Sequence, residues 1–189
     1  MAILFENNTT GDTGYSSVDA DSWRAQTFTP SIAHIITSVK ITGQSHGTPG
    51  ILTISIQAVN GAGKPDGTDL TSGTTDGDTF PTVGHEEREI SLTSYALYAN
   101  VEYAIVVKAL NAVTPNDFYW RGGGTDYARG KGWYTDDSGS TWIDHEMDFL
   151  FKEYGIKRGE SAGVIAVVET RFHYVDASGT ERYIQGAAI

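Results

Sequence analysis

The stretch Ile51–Val59 reads Ile-Leu-Thr-Ile-Ser-Ile-Gln-Ala-Val, and it decides the fold class. Leu52, Ile54 and Ile56 point to one side of an extended chain and the polar residues between them to the other, because side chains alternate across a strand. Its β-branched residues also suit the pleated, half-buried surface of a sheet. The stretch therefore predicts a strand with one face in a core.

The same period of two recurs along the chain, and no segment shows the period of a helix. Tyr103, Ile105 and Val107 alternate with Ala104 and Val106, so this strand is apolar on both faces and belongs in the middle of a sheet. About ten strands without a helix predict an all-β fold, a two-sheet antiparallel jelly-roll-like sandwich. The predicted strands are 21–29, 35–42, 51–59, 69–71, 87–92, 101–109, 117–121, 132–135 and 142–154.

The sequence divides the chain into three parts. They are an N-terminal segment and candidate anchor (1–20), the β-sandwich domain (21–154), and a linker with a C-terminal β-hairpin arm (155–189). In the arm, two strand-like runs flank the turn Ala177-Ser178-Gly179-Thr180, which predicts a hairpin. An isolated hairpin is marginal in water, so we expect it to close the same sandwich or to pair with a neighbouring subunit.

Composition excludes several classes of function. The net charge of -11 disfavours nucleic-acid binding, which needs a basic surface, and it disfavours binding to an anionic membrane. The chain has no cysteine, which excludes disulfides, thiolate catalysis and zinc–thiolate sites. No run approaches the roughly 18 apolar residues of a membrane span, and the N-terminus lacks the pattern of a signal peptide.

Five short patterns in the main body carry a resemblance to a known family. They are Gln26-Thr27-Phe28, Lys64-Pro65-Asp66-Gly67, Tyr103-Ala104-Ile105-Val106-Val107, Phe118-Tyr119-Trp120 and Ser140-Thr141-Trp142. With them, residues 20–154 resemble the choice-of-anchor type β-sandwich modules of bacterial surface proteins and similar modules in structural proteins of tailed phages. The resemblance implies a jelly-roll-like sandwich and no known catalytic residues.

These observations predict a non-enzymatic structural protein of a bacteriophage virion: a capsid decoration, head-fibre or tail-associated module. We expect it to be made in the host cytoplasm and located in the virion, with an extracellular or cell-surface location as the alternative. Expected partners are other virion or surface proteins and further copies of the chain, with no nucleic acid and no membrane. We predict no cofactor, but the acidic pairs Asp19/Asp21, Asp76/Asp78 and Asp136/Asp137 leave one structural calcium ion open.

A sharper local motif lies at Thr135–Trp142, which fits the Asp-box pattern familiar from sialidase-like propellers. Asp137 can accept hydrogen bonds from backbone N–H groups across the turn, and Gly139 suits the positive φ that such a turn needs. Together with Thr135 and Thr141 these residues predict a hairpin staple, with Trp142 folded into the core. The motif occurs once, so it indicates structure rather than sialidase activity.

The alternative function is carbohydrate binding, because residues 118–134 are rich in aromatic side chains, arginine and glycine. Exposed rings stack on sugars, and the charged neighbours can bind hydroxyl groups. The competing interpretation is that the tryptophans are core residues, which we favour for Trp23, Trp120 and Trp142. The candidate carbohydrate-binding residues are Tyr127, Trp133, Tyr134, Arg121, Asp126 and Arg129.

A third, less favoured hypothesis is a glycosidase. Asp144, Glu146 and Asp148 alternate within the predicted strand 142–154, so the sequence places their carboxylates on one face. Two carboxylates about 5–10 Å apart across a sugar can hydrolyse a glycosidic bond. The competing interpretation is a solvated strand face balanced by nearby lysine or arginine.

Overall fold

The structure, a computed structural model, describes residues 1–158 and the backbone of residues 171–175 and 181–185. Nearly all regular structure in these residues is strand, with one 3-10 turn at Gly77–Thr79. The strands of the main body are β1 (Ile3–Asn8), β2 (Gly14–Val18), β3 (Trp23–Phe28), β4 (His34–His46), β5 (Ile51–Val59), β6 (Pro65–Asp76), β7 (Glu86–Leu97), β8 (Tyr103–Lys108), β9 (Asp117–Gly122), β10 (Gly132–Thr135), β11 (Ile143–Asp144) and β12 (Phe151–Lys157).

The strands form two antiparallel six-stranded sheets, which confirms the predicted two-sheet sandwich. Sheet A has the order β1-β12-β4-β9-β2, with β7 on the other side of β4. Because β12 pairs with the first part of β4 and β9 with its last residues, these two strands lie end to end beside β4, flanked by β1 and β2. Sheet B has the order β11-β10-β3-β8-β5-β6.

The core lies between the two sheets, as predicted from the alternation of apolar and polar residues along the strands. Leu52, Ile54 and Ile56 of β5 are all fully buried. The predicted central strand is confirmed as β8, which lies between β3 and β5 and has every residue buried. Its second face, with Ala104 and Val106, lies in a smaller cluster on the outer side of sheet B.

Several predicted boundaries differ from the structure, and β4 and β7 are each longer than the strands expected at 35–42 and 87–92. Residues 1–20, set apart above as an N-terminal segment, contribute β1 and β2 to sheet A, because these strands pair with β12 and β9. The short strand expected at 69–71 is the long strand β6. The single strand expected at 142–154 is wrong: it is two strands, β11 and β12, because the backbone turns at Glu146, whose φ is 56°.

The C-terminal arm is described only as two short strands, β13 (Arg171–Val175) and β14 (Glu181–Gln185). They pair antiparallel, with Val175 opposite Glu181, which confirms the predicted hairpin over these ranges. The remaining residues of the predicted linker and arm lie outside the described residues. Among the described residues, no helix is long and apolar enough to cross a membrane.

Candidate functional site

The six residues proposed for carbohydrate binding do not share one surface. Trp133 on β10 is only 6% exposed and packs on the outer side of sheet B in the cluster that contains Ala25, Val106 and Trp142. Its ring is therefore part of a small core beneath the loops of sheet B. This is the competing interpretation that the sequence left open for the tryptophans.

The two candidate tyrosines contact other parts of the protein. Tyr134 follows Trp133 on β10 and points to the opposite side, where its ring meets the ring of His145 nearly at right angles, with centroids 5.5 Å apart. Tyr127 packs edge-on against Phe151 at 5.3 Å, and its hydroxyl donates a hydrogen bond to Glu6. Burial, reinforced by the carboxylate of Glu6, raises the pKa of the Tyr127 hydroxyl.

The charged candidates are also dispersed. Arg121 donates to Asp12 at 2.7 Å on the outer side of sheet A. Arg129 lies 3.4 Å from Glu6 and so belongs with Tyr127, whereas Asp126 is exposed on the loop. The structure thus brings Tyr127 and Arg129 together and leaves Arg121, Trp133 and Tyr134 elsewhere.

A groove of about 460 Å³ opens beside this loop, and polar side chains line it. Besides Gly130, Gly132 and Met147, its lining residues are Thr125, Lys131, Asp144, Glu146 and Asp148. The three acidic residues singled out above therefore all line one groove. The prediction that they share one face of a strand was wrong. β11 ends at Asp144, Glu146 is exposed beyond it and Asp148 is buried.

Two carboxylates of the groove have pKa values that shift in opposite directions. Lys131 donates to Asp144 at 2.5 Å, and this hydrogen bond lowers the pKa of that carboxyl. Burial raises the pKa of Asp148, and hydrogen bonds from the Tyr127 backbone and the Gln26 amide offset this only in part. Asp148 is 3% exposed, and its two hydrogen bonds connect the loop at Tyr127 to Gln26 of β3 beneath the groove.

The Asp-box turn has the geometry that its sequence predicts. The Asp137 carboxylate accepts from the Thr141 backbone N–H at 2.8 Å and from the Thr135 hydroxyl at 2.6 Å, and these bonds lower its pKa. Gly139 has a φ of 87°, and Trp142 is buried in the small core on the outer side of sheet B. These hydrogen bonds and the buried Trp142 ring hold the loop between β10 and β11 against the outer side of sheet B.

Two of the acidic turns considered for calcium accept hydrogen bonds from nearby backbone groups. Asp19 accepts from two backbone N–H groups, at 3.0 and 2.8 Å, and Asp76 accepts from the Asp78 N–H at 3.0 Å. Asp78 in turn accepts from the Gly50 N–H at 2.7 Å. Within the part of the chain that the structure describes, no three acidic or histidine side chains gather as they would around a metal ion.

Two arrangements were not foreseen from the sequence. His34 and Glu153 form a fully buried pair, with the His34 Nε2 atom 2.7 Å from a carboxylate oxygen of Glu153. On the outer side of sheet A, the rings of Tyr15, Tyr119 and His46 stack across three strands. No sequence signal could have revealed either one, because the partners are far apart in the chain.

The described residues thus contain a groove with polar side chains beside Lys131 and a stack of rings on the outer side of sheet A. Comparison with known proteins finds no family model and no curated protein that matches this chain. The likeness to choice-of-anchor modules therefore rests on the short sequence patterns alone.

Proposed function

We propose that this chain is a non-enzymatic structural module of a virion, such as a capsid decoration, head-fibre or tail-associated component, that assembles through surface contacts with its own copies and with neighbouring proteins. One observation carries the proposal: apolar side chains are exposed together at one end of the sandwich. Isolated exposed apolar residues are ordinary, but a group of them marks an interaction surface.

The pairing of the strands places these side chains at one end. Ile3 of β1 lies opposite Gly155, and His34 of β4 lies opposite both Lys157 and Leu97, so the start of β1, the start of β4 and the ends of β7 and β12 adjoin. The apolar end consists of Ile3, Leu4, Ile32, Tyr98 and Val101, each between 40% and 56% exposed.

Strand β12, the last strand of sheet A in chain order, also ends at the apolar end. The guanidinium of Arg158, the last residue described before the C-terminal hairpin, lies 4.8 Å from the ring centroid of Tyr98. A contact between subunits at this end would bury its exposed apolar side chains.

The test replaces apolar surface by charge in the full chain. We expect Ile32→Asp combined with Val101→Asp to lower the mass measured by light scattering, because a buried carboxylate without a partner opposes association. Val83→Asp is the matched control, since Val83 is 89% exposed before β7, at the other end of the sandwich. If the wild type is oligomeric and the double variant has the same mass, the apolar end is not a contact between subunits.

A second candidate function, carbohydrate binding, is favoured by the groove beside Lys131. Its hydroxyl, ammonium and carboxylate groups can bind sugar hydroxyls, and the pair Lys131–Asp144 is held at 2.5 Å. On a glycan array, Lys131→Ala and Asp144→Asn should each weaken binding about tenfold, as expected when one charge-assisted hydrogen bond is lost. Lys64→Ala, outside the groove, should bind as the wild type does. Equal binding by all variants would contradict this site.

A further inference from the structure

The edges of the two sheets differ in how well they are protected against pairing with another strand. The edges formed by β6 and β7 face each other: the Thr71 hydroxyl donates to the Thr93 carbonyl, and a Cβ atom on Gly73 would collide with the Ser91 carbonyl oxygen. These edges close one side of the sandwich. Neither is open to a further strand.

Two of the remaining edges carry features that discourage pairing. β1 has a register shift between Leu4 and Glu6, and the Glu6 side chain points inward and is buried. β11 is only two residues long. A bulge, an inward-pointing charge and a very short strand are all devices by which proteins prevent edge-to-edge association.

The edge of β2 has none of these devices. Its five residues, Gly14-Tyr15-Ser16-Ser17-Val18, include no charge and no proline. They pair with β9 in unbroken register, from Gly14 opposite Gly122 to Val18 opposite Phe118. Among the residues described, no backbone hydrogen bond reaches the outward-facing N–H and C=O groups of this strand. Such an edge is a template for another strand.

An aromatic stack stands beside this edge. The ring of Tyr15 lies 4.2 Å from that of Tyr119 on β9, and the ring of Tyr119 lies 5.2 Å from that of His46 on β4. One face of the Tyr15 ring is covered by Tyr119. Because β2 is the outermost strand, no strand of sheet A lies beside the other face. Tyr15 is 51% exposed.

The polar neighbours hold the outer side of β2 in place. Ser17 and His46 both hydrogen-bond to Asp117, which lies between them on β9. These contacts join β2, β9 and β4 on the same side of the sheet as the stacked rings. The edge is therefore ordered before any partner binds, which lowers the entropy cost of association.

We infer that β2 is the strand through which two copies of this chain pair edge to edge, so that sheet A continues from one subunit into the other. The inference rests on the proposed structural function and names one of its contacts. Two antiparallel copies of the same strand are self-complementary about a two-fold axis, which places both Tyr15 rings on the same side of the joined sheet.

The charge pattern favours β2 as the place where two copies, which the proposed function already requires, come into contact. Subunits with a net charge of -11 repel each other, so they meet most readily where the contacting strand carries no charge. β2 is such a strand. Backbone pairing there brings no charged side chain of one β2 opposite another.

The position of the contact is tested with a single spin label. The chain has no cysteine, so Ser17→Cys gives one labelling site in the full-length protein, and Val83→Cys gives a control site before β7, which is separated from β2 in sheet A by β9 and β4. If two β2 strands pair, electron–electron distance measurements on the oligomer should give labels at position 17 within about 25 Å of each other, since paired strands lie about 4.8 Å apart. Labels at position 83 should lie farther apart.

Edge-protecting substitutions provide the second measurement. Tyr15→Lys and Ser17→Lys should each raise the dissociation constant of the pair at least about tenfold, because lysine on an edge strand opposes pairing. Tyr15→Phe keeps the ring and should leave it unchanged; circular dichroism checks that each variant folds. If the protein is an oligomer but the labels at position 17 lie far apart and the lysine variants assemble as the wild type does, the β2 contact is wrong and the proposed function still stands. A monomer at the highest soluble concentration would overturn the proposed function with it.

Discussion

Trp120→Ala should lower the free energy of unfolding by about 3–5 kcal/mol, the range typical of a large aromatic residue removed from a core. Trp120 is fully buried, and its ring stacks on Phe149 with centroids 4.5 Å apart. Its indole N–H donates to the Leu150 carbonyl at 2.9 Å. The side chain thus joins β9 to the segment before β12, at the point where these strands meet end to end in sheet A.

Two variants separate the packing of Trp120 from its hydrogen bond and from general effects of substitution. Trp120→Phe keeps most of the ring but leaves the Leu150 carbonyl without this donor, so about 1–2 kcal/mol should be lost. Tyr98→Ala removes an aromatic residue that is 53% exposed and should change stability by about 0.5 kcal/mol or less. Urea denaturation followed by circular dichroism measures all three. Similar losses in Trp120→Ala and Tyr98→Ala would show that Trp120 does not hold this junction.

The parts of the fold that the sequence predicts are those in which the signal is local. Apolar and polar residues alternate from Leu52 to Ala58, and the structure has one strand over Ile51–Val59. The Asp-box turn is equally local, since Asp137 and Thr141 are only four positions apart in the chain. Such patterns need no knowledge of the partner strand.

The missed elements depend on partners far along the chain. β1 and β2 are only six and five residues long and do not alternate clearly between apolar and polar residues. Their partners β12 and β9 lie a hundred or more positions later in the chain, so the local sequence does not reveal either strand. The alternation from Asp144 to Phe151 continues through Glu146, but a left-handed residue at this position interrupts the strand. The identity of a glutamate gives no sign of that conformation.

The candidate site was predicted only in outline for the same reason. Asp144, Glu146 and Asp148 were chosen because they are close in sequence, and they do line one groove. The bonds that make their environments unequal come from Lys131 and from the distant Gln26. Composition and spacing identify the residue types in the groove. The burial and the pKa of each carboxyl group depend on which side chains from distant parts of the chain contact it.

A buried histidine–glutamate pair should give this protein a stability that falls as the pH rises above about 6.5. His34 and Glu153 both have fully buried side chains, with 2.7 Å between Nε2 and Oε1. The other ring nitrogen, Nδ1, lies 2.8 Å from the Ile32 carbonyl and donates to it. One proton must therefore lie between His34 and Glu153, because without it two acceptors would face each other in the core.

The pKa shifts of both groups agree with a tightly held proton. Burial lowers the pKa of His34, but the hydrogen bond and charge of Glu153 outweigh it, so the His34 pKa is raised overall. Burial raises the pKa of Glu153 despite the opposing effect of His34. An unfolded histidine loses its proton near about pH 6.5. Its contribution to stability is complete below that pH and is lost as the pH rises through the higher folded pKa, and the raised pKa of Glu153 acts in the same direction.

His34→Ala should cost about 3–5 kcal/mol of unfolding free energy at about pH 8, because it leaves the Glu153 carboxylate buried without its partner. At about pH 5 the cost should be smaller, since the carboxyl can then take up a proton. The matched control is His46→Ala, in which a half-exposed histidine 2.8 Å from Asp117 is removed, and it should cost less than about 1 kcal/mol at either pH. Denaturation curves across this range decide the matter: a loss in His34→Ala that does not change with pH would mean that no proton is held between the two side chains.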